Sequence, residues 1–303
     1  MRTPTGKRAL NAGAFATLLL IALMMGANHV SARIAFNNGV DVATAVVFRS
    51  AVTALVVTGI LLIARVPMVV TKRHKWFLLI IGLLIGVQSL CLYSAVARLP
   101  VALALLAFNT YPLWTALWDR LLYKRRPERV TLQAMPVILV GLALALDVMG
   151  AASGLGAAGQ WARIGAGVTF ALAAASTFGL ALVLTQHETV GLDGKLRTAC
   201  TMMLAGLVAL AVVGGQGSFH LPTATAGWWG LGALTLLYGT AFTIMFTVLP
   251  KLGVAGNSAI MNVEPVFALV LAWLMLGQTI APVQVAGALL VVGAVMAIGL
   301  RKT

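Results

Sequence analysis

Acidic residues are scarce in this sequence: seven Asp and Glu in 303 residues, with charged residues of both signs making up only 9%. A soluble globular domain carries about 25% charged and roughly 45–50% apolar residues, so a hydrophobic content of 61% excludes that class. Cysteine is nearly missing too. Cys91 and Cys200 both fall inside apolar runs, which argues against a disulfide framework and for small buried apolar roles. The chain has no Gly-x-x-x-x-Gly-Lys-Ser/Thr loop, so ATP is not expected to drive it. It also lacks a Gly-x-Ser-x-Gly elbow, paired mid-span carboxylates and any metal-ligand cluster, which disfavours an enzyme and implies no cofactor or metal.

What the sequence has in quantity is long apolar runs, with a mean hydropathy of +1.00. A hydrocarbon core ~30 Å thick needs about 20 apolar residues of helix. Windows of that size give ten spans, near 12–35, 43–63, 76–97, 100–121, 132–149, 163–185, 198–214, 226–249, 254–275 and 282–300. Barrel strands would alternate in hydrophobicity over about ten residues, whereas these runs are continuous. The expected class is an all-α integral membrane protein with short connections and no room for a soluble domain.

The basic residues then acquire a meaning. A net charge of +14 on a soluble protein suggests nucleic acid, but such binders gather their Lys and Arg on one polar face. Here they lie between apolar runs, so no nucleic-acid partner is expected. Basic residues stay preferentially on the cytoplasmic side. With the N-terminus inside, 17 of the 21 fall there, in clusters at 2–8, 65–75, 120–129, 195–197, 251 and 301–302. Arg33, Arg98 and Arg163 fall outside, and Arg49 lies within a span. Both termini are expected to be cytoplasmic, in a multi-pass protein of a bacterial-type inner (plasma) membrane. The Arg120–Arg129 cluster acts first as a topology determinant, with anionic membrane lipid as a secondary contact. Arg2, Lys7 and Arg8 ahead of an apolar stretch, with Val30-Ser31-Ala32 beyond it, resemble a secretory signal; the repeat described next instead needs this first span as the partner of the sixth.

Sliding the chain on itself by 153 residues sets Trp76 on Trp229, Gly86 on Gly239, Leu99 on Leu252, Val101 on Val254 and Gly26 on Gly179. The strongest match is Asn109-Thr-Tyr-Pro112 on Asn262-Val-Glu-Pro265. Residues 1–150 and 151–303 thus form two halves of five spans each. Five is odd, so the second half enters from the opposite side, giving ten transmembrane helices in two inverted five-helix repeats. Transporters of this design hold their substrate near the midplane, where helices are interrupted. Pro112 and Pro265 are the expected helix breaks, since proline removes a backbone hydrogen bond and kinks its helix. The carbonyls of Phe108 and Met261 would be the ones freed.

The two inverted halves, Phe48-Arg49 opening the second span, Gly26 late in the first, and the proline-centred fourth and ninth spans resemble the drug/metabolite transporter superfamily, specifically its EamA-like ten-helix exporters. The likeness covers essentially the whole chain. Such exporters often carry Trp-Gly in the first helix, where this chain has Met25-Gly26. Aromatic amino-acid exporters of the family place an aromatic residue just before the fourth-helix proline, the position of Tyr111. The resemblance implies a small-molecule substrate such as an aromatic or other neutral amino acid, and is compatible with a monomer.

Helix rise places Gln88, Asn109, Thr177, Tyr238, Asn262 and Glu264 at about one level, in the middle third of a core ~30 Å thick. Singly, such groups serve as interhelical hydrogen bonds; together, on repeat-related helices, they read as a substrate site. Glu264 is the costliest, at no less than about 2.5–3.5 kcal/mol for a charge at the bilayer centre. It would recognise a substrate ammonium, exchange protons, or form a structural ion pair with Arg49. His29 can titrate near neutrality, and with Asn28 and Arg49 it forms a candidate proton or polar relay, packing being the alternative for His29. Phe108, Tyr111, Trp114 and Trp118 follow helical spacing. The deeper Phe108 and Tyr111 are assigned to the substrate wall, and Trp118 to an interfacial anchor, as are Trp228 and Trp229. The expected function is export by alternating access around a midplane cavity, with a channel or facilitator as the alternative.

Overall fold

The computed structural model describes residues 12–65, 70–125, 129–247 and 263–301, and among these all regular structure is helical. The first half contains α1 (Ala12–Asn37), α2 (Val42–Ile63), α3 (Lys72–Arg98), α4 (Val101–Phe108), α5 (Tyr111–Tyr123) and α6 (Arg129–Ala145). The second contains α7 (Gly156–Glu188), α8 (Gly194–Gln216), α9 (Thr225–Thr247), α10 (Glu264–Leu276) and α11 (Pro282–Arg301). Six stretches are long and apolar enough to cross a membrane, one of them the combined 101–123 run; shorter apolar helices include Leu132–Ala145, Glu264–Leu276 and Pro282–Ala297.

Local chemistry sets the ends. Asp41, Thr71 and Asp193 cap α2, α3 and α8 by accepting backbone N–H bonds from residues two or three further on, which satisfies donors a helix start leaves open. Lys124 and Gly277 close α5 and α10 in the left-handed conformation, at φ 54° and 63°, and donate to the carbonyls of Asp119 and Ala272. These positions are 153 apart, as are the starts of α5 and α10 and of α6 and α11.

Packing runs between the halves. α1 lies on α9 and α10, α2 on α8, α3 on α7 and α8, α5 on α7, and α6 on α11. Exchanging the halves turns the α3–α7 contact into α9–α1, and α5–α7 into α10–α1, while α2–α8 and α6–α11 map onto themselves. Small residues make this possible: Ala32, Ala35, Ala104, Ala171, Ala174 and Ala209 are fully buried, as expected where apolar lipid gives no drive for association and backbones must approach closely. Leu55, Ile63 and Trp229 are 73%, 86% and 77% exposed, the arrangement of a protein that turns large apolar side chains to lipid.

At one end of the bundle α3, α5 and α7 are tied by a polar cluster. Arg73 donates to Glu188, Tyr123 Oη donates to the other oxygen of the same carboxylate, and His187 Nε2 lies 2.9 Å from Asp119 Oδ1. The His187 and Tyr123 rings stack at 3.9 Å. The residues 153 away are Ala226, Leu276, Ala35, Ile34 and Ala272, so the tie is confined to this end.

α6 ends at Ala145, short of the expected 149, because Asp147 turns left-handed at φ 49°. Its carboxylate accepts the Ala152 and Ser153 amides at 3.0 and 2.8 Å. The Ala152 amide, then the side chain and amide of Ser153 and the Ala151 amide, hold the Asp147 carboxyl below its usual value against the opposing effect of burial. A depressed folded value stabilises the protein above the unfolded value of about 3.9, and the gain is lost as pH falls through the folded one. Thermal unfolding in detergent should show Asp147→Asn less stable than wild type at neutral pH, with the gap shrinking below about pH 4. A gap constant from pH 7 to 3 would refute this role.

Candidate functional site

Two clusters form where the starts of α5 and α10 meet the rest of the bundle. The polar one gathers on α1, α2, α3 and α10. His29, 2% exposed, places Nε2 3.2 Å from Glu264 Oε1. Glu264 is the first residue of α10, where the positive end of the helix favours a carboxylate. Gly26, one turn before His29, permits the contact: a Cβ there would stand 3.1 Å from the Glu264 carbonyl oxygen and from the Ala268 nitrogen.

Tyr93, fully buried, joins this pair to the rest. Its hydroxyl donates to Asn28 Oδ1 at 3.0 Å, and its ring meets His29 edge to face at 5.7 Å. The Arg49 guanidinium lies 4.6 Å from the Tyr93 centroid and 4.0 Å from that of Tyr238 on α9, both within the range for cation–π attraction. Arg49 Nη2 donates to Ser89 Oγ at 2.7 Å. Helix rise puts His29 and Arg49 about 12 and 10 Å inside the ends of α1 and α2.

The second cluster is aromatic. Phe108 ends α4, Tyr111 begins α5, and Phe178 of α7 packs against both, with ring centroids 5.4 and 5.2 Å away. Gly179 brings α5 this close: a Cβ there would stand 2.9 Å from the Thr115 nitrogen and 3.0 Å from Trp114 Cβ. Between the helices the chain breaks outright. Thr110 sends both its N–H and its hydroxyl to the Ala107 carbonyl, and Pro112 sits in the first turn of α5, where a missing N–H removes no helical bond.

The clusters occupy equivalent places. At the 153-residue offset Glu264 corresponds to Tyr111, Gly26 to Gly179, and Met25 to Phe178. Asn28, His29, Arg49 and Ser89 correspond to Ala181, Leu182, Met202 and Phe242. One face of the arrangement is charged and hydrogen-bonding; the other is apolar and aromatic.

The family model of EamA-like transporters matches the chain twice, over residues 12–146 and 165–300. The chain belongs to the EamA-like transporter family. It is accordingly a multi-pass membrane protein, and its family carries small solutes and is not one of enzymes. A solved structure described only as "Crystal structure of protein" shares the fold of this EamA-like transporter. It covers 96% of this chain and 98% of its own, at a TM-score of 0.62 and 18% identity. No curated protein matches the chain.

Several residues of this EamA-like transporter stand differently from expectation. Arg49 is not the partner of Glu264: among the described residues no carboxylate lies within ion-pair distance of it, and His29 takes that place. The side chains at 29 and 264 meet because α1, not α2, packs on α10. Pro112, an expected helix break, lies in the first turn of α5, just past the turn at 109–110 that separates α4 from α5. Pro265 likewise lies in the first turn of α10, while Met261 and Asn262 lie outside the described residues. Thr177 turns its hydroxyl onto the Ala173 and Ala174 carbonyls of its own helix. Trp118 donates its indole N–H to the Ser176 carbonyl at 3.1 Å, a contact with α7 where an interfacial anchor was expected.

Gln88 and Asn109 are buried, Gln88 next to Ser89, which approaches it at 3.4 Å, and Asn109 at the C-terminal cap of α4. Tyr238 is buried against Met202, its hydroxyl 3.7 Å from the sulfur. Sequence reasoning passed over Ser89, Tyr93, Phe178 and Met202. Phe178 had a signal, as the neighbour of Gly179 and the counterpart of Met25. Tyr93 had only its place about one turn beyond Gln88. A small apolar crevice of about 30 Å³ lies elsewhere, between Leu106, Pro265, Leu269 and Val292.

Proposed function

We propose that this EamA-like transporter exports amino acids, aromatic or other neutral ones, or similar small metabolites across the inner membrane. The reading has ten transmembrane helices in two inverted five-helix repeats, both termini cytoplasmic, and a midplane site reached alternately from either side. The observation that carries it is the division of equivalent positions into a charged cluster and an aromatic one. A neutral amino acid has that division itself: an ammonium and a carboxylate at one end, an apolar side chain at the other. Glu264, at the start of α10, would receive the ammonium, with His29 beside it as polar relay. Phe108, Tyr111 and Phe178 would receive the side chain, and Gln88, Asn109, Tyr238 and Asn262 would line the space between.

Support for the repeat comes from the family model's two matches, 153 residues apart at their starts, and from contacts that persist when the halves are exchanged. Inverted halves give alternating access by rocking around a fixed site. The Arg73–Glu188–Tyr123 tie, on one end only, would open whenever the site faces that end.

The test is counterflow in proteoliposomes over a panel of the twenty amino acids and their amines, with and without an imposed pH gradient. Saturable exchange of aromatic or neutral amino acids is expected. Absence of exchange for every panel member would sink the substrate assignment, and a flux that rises linearly without saturation would favour the channel.

A further inference from the structure

Arg49 is a full positive charge, 3% exposed, inside the bundle with no carboxylate partner among the described residues. Its neighbours are two tyrosine rings and a serine hydroxyl, and among the described residues its Nε–H has no hydrogen-bond partner. The Asn28 amide nitrogen is also unpartnered, although its oxygen is held by Tyr93, the residue that stacks on Arg49. Two buried donors with hydrogens unused therefore contact the same tyrosine, one at its hydroxyl and one at its ring. An unmade hydrogen bond at a buried donor costs about 1–3 kcal/mol, more at a charge, so such groups call for an acceptor that arrives from elsewhere.

Packing alone does not require a charge at this position. The counterpart of Arg49 in the second half is Met202, and both touch Tyr238. The equivalent sequence position in α2 and α8 is filled once by a cation and once by an uncharged thioether of similar length. The guanidinium is the feature that packing leaves unexplained.

We infer that Arg49, together with the Asn28 amide, is the carboxylate-binding subsite of the transporter, and that it selects carboxylate-bearing substrates over their amides and amines. Guanidinium and carboxylate match in a planar, two-point geometry that an ammonium cannot reproduce. The inference rests on the transport reading above and deepens it. Glu264 with His29 then serves the opposite charge.

The experiment uses full-length protein in nanodiscs and three probes: L-phenylalanine, L-phenylalaninamide and 3-phenylpropionate. Binding is read by calorimetry, with counterflow of labelled phenylalanine run in parallel. Wild type should bind phenylalanine and phenylpropionate at least tenfold more tightly than Arg49→Met does, while phenylalaninamide binding changes less than twofold. Arg49→Met copies the side chain the second half already accommodates. Should it nevertheless fail to fold, Asn28→Asp places a negative charge beside the subsite and should weaken phenylpropionate at least tenfold without weakening phenylalaninamide. Equal loss of all three probes, or phenylpropionate binding unchanged in either variant, overturns the inference. Counterflow by wild type with no preference for acid over amide overturns it while transport of small solutes stands. Carboxylate binding that depends on Arg49 without any counterflow leaves the subsite and removes the transport of that solute. If wild type neither binds nor moves any probe, both fall for this substrate class.

Discussion

Replacing Glu264 by glutamine should lower amino-acid counterflow about 30- to 160-fold, the loss expected for one charge-assisted interaction of roughly 2–3 kcal/mol. The residue sits at the meeting point of α1 and α10, 3.2 Å from His29, and it is the one acidic side chain among the ten expected spans near the bilayer centre. Glutamine keeps the shape and one acceptor, and it removes the charge that an ammonium would seek. The protein should still elute as a single species on size-exclusion chromatography, because the α10 start keeps its proline and its contact with Gly26. Glu264→Asp should retain more activity than Glu264→Gln, since the charge persists on a shorter arm. Counterflow within threefold of wild type in Glu264→Gln would remove Glu264 from the substrate site and leave it as a structural partner of His29.

Valine at Gly26 or Gly179 should damage stability and transport together. The obstacles at both positions are backbone atoms: the Glu264 carbonyl oxygen and Ala268 nitrogen at 3.1 Å for Gly26, the Thr115 nitrogen at 2.9 Å for Gly179. Backbone cannot swing aside as a flexible side chain can, so α10 or α5 has to move away. Overpacking of this kind costs about 1–3 kcal/mol. The helix displaced by Gly26→Val carries Glu264; the one displaced by Gly179→Val carries Tyr111. Thermal unfolding in detergent and counterflow measure the two effects. Gly214→Val is the control, since a Cβ at Gly214 meets nothing within 4 Å. Equal behaviour of all three variants would show that the close crossings do not position the site.

These two predictions differ in how far the sequence anticipates them. The apolar runs, the scarcity of acid and the 153-residue self-match are visible by inspection, and they point to the same residues, Gly26, Gly179 and Glu264, that matter in three dimensions. The partner of Glu264 was not visible. Arg49 was a reasonable electrostatic choice, yet which of α1 and α2 faces α10 is a matter of packing. Similarly, Pro112 announces an interruption, but whether a proline bends a helix or separates two depends on whether nearby donors find other acceptors. Thr110 supplies that answer through its two bonds to Ala107.

By itself the sequence determined the solvent, because 61% hydrophobic residues in continuous runs cannot be reconciled with water. It also carries a self-match at an offset of 153 residues, in which an Asn-x-x-Pro pair and paired glycines stand out from a composition where Leu and Ala matches are cheap. Only the tertiary structure decided that His29 meets Glu264, that Arg49 contacts the rings of Tyr93 and Tyr238 with no carboxylate partner among the described residues, and that Phe178 closes on Phe108 and Tyr111. The reason is that these helices are apolar all round. In a soluble helix the polar face shows which way it is turned; here lipid and neighbouring helices favour the same side chains, so rotation is fixed by the fit of glycine and alanine against backbone, which no one-dimensional pattern records.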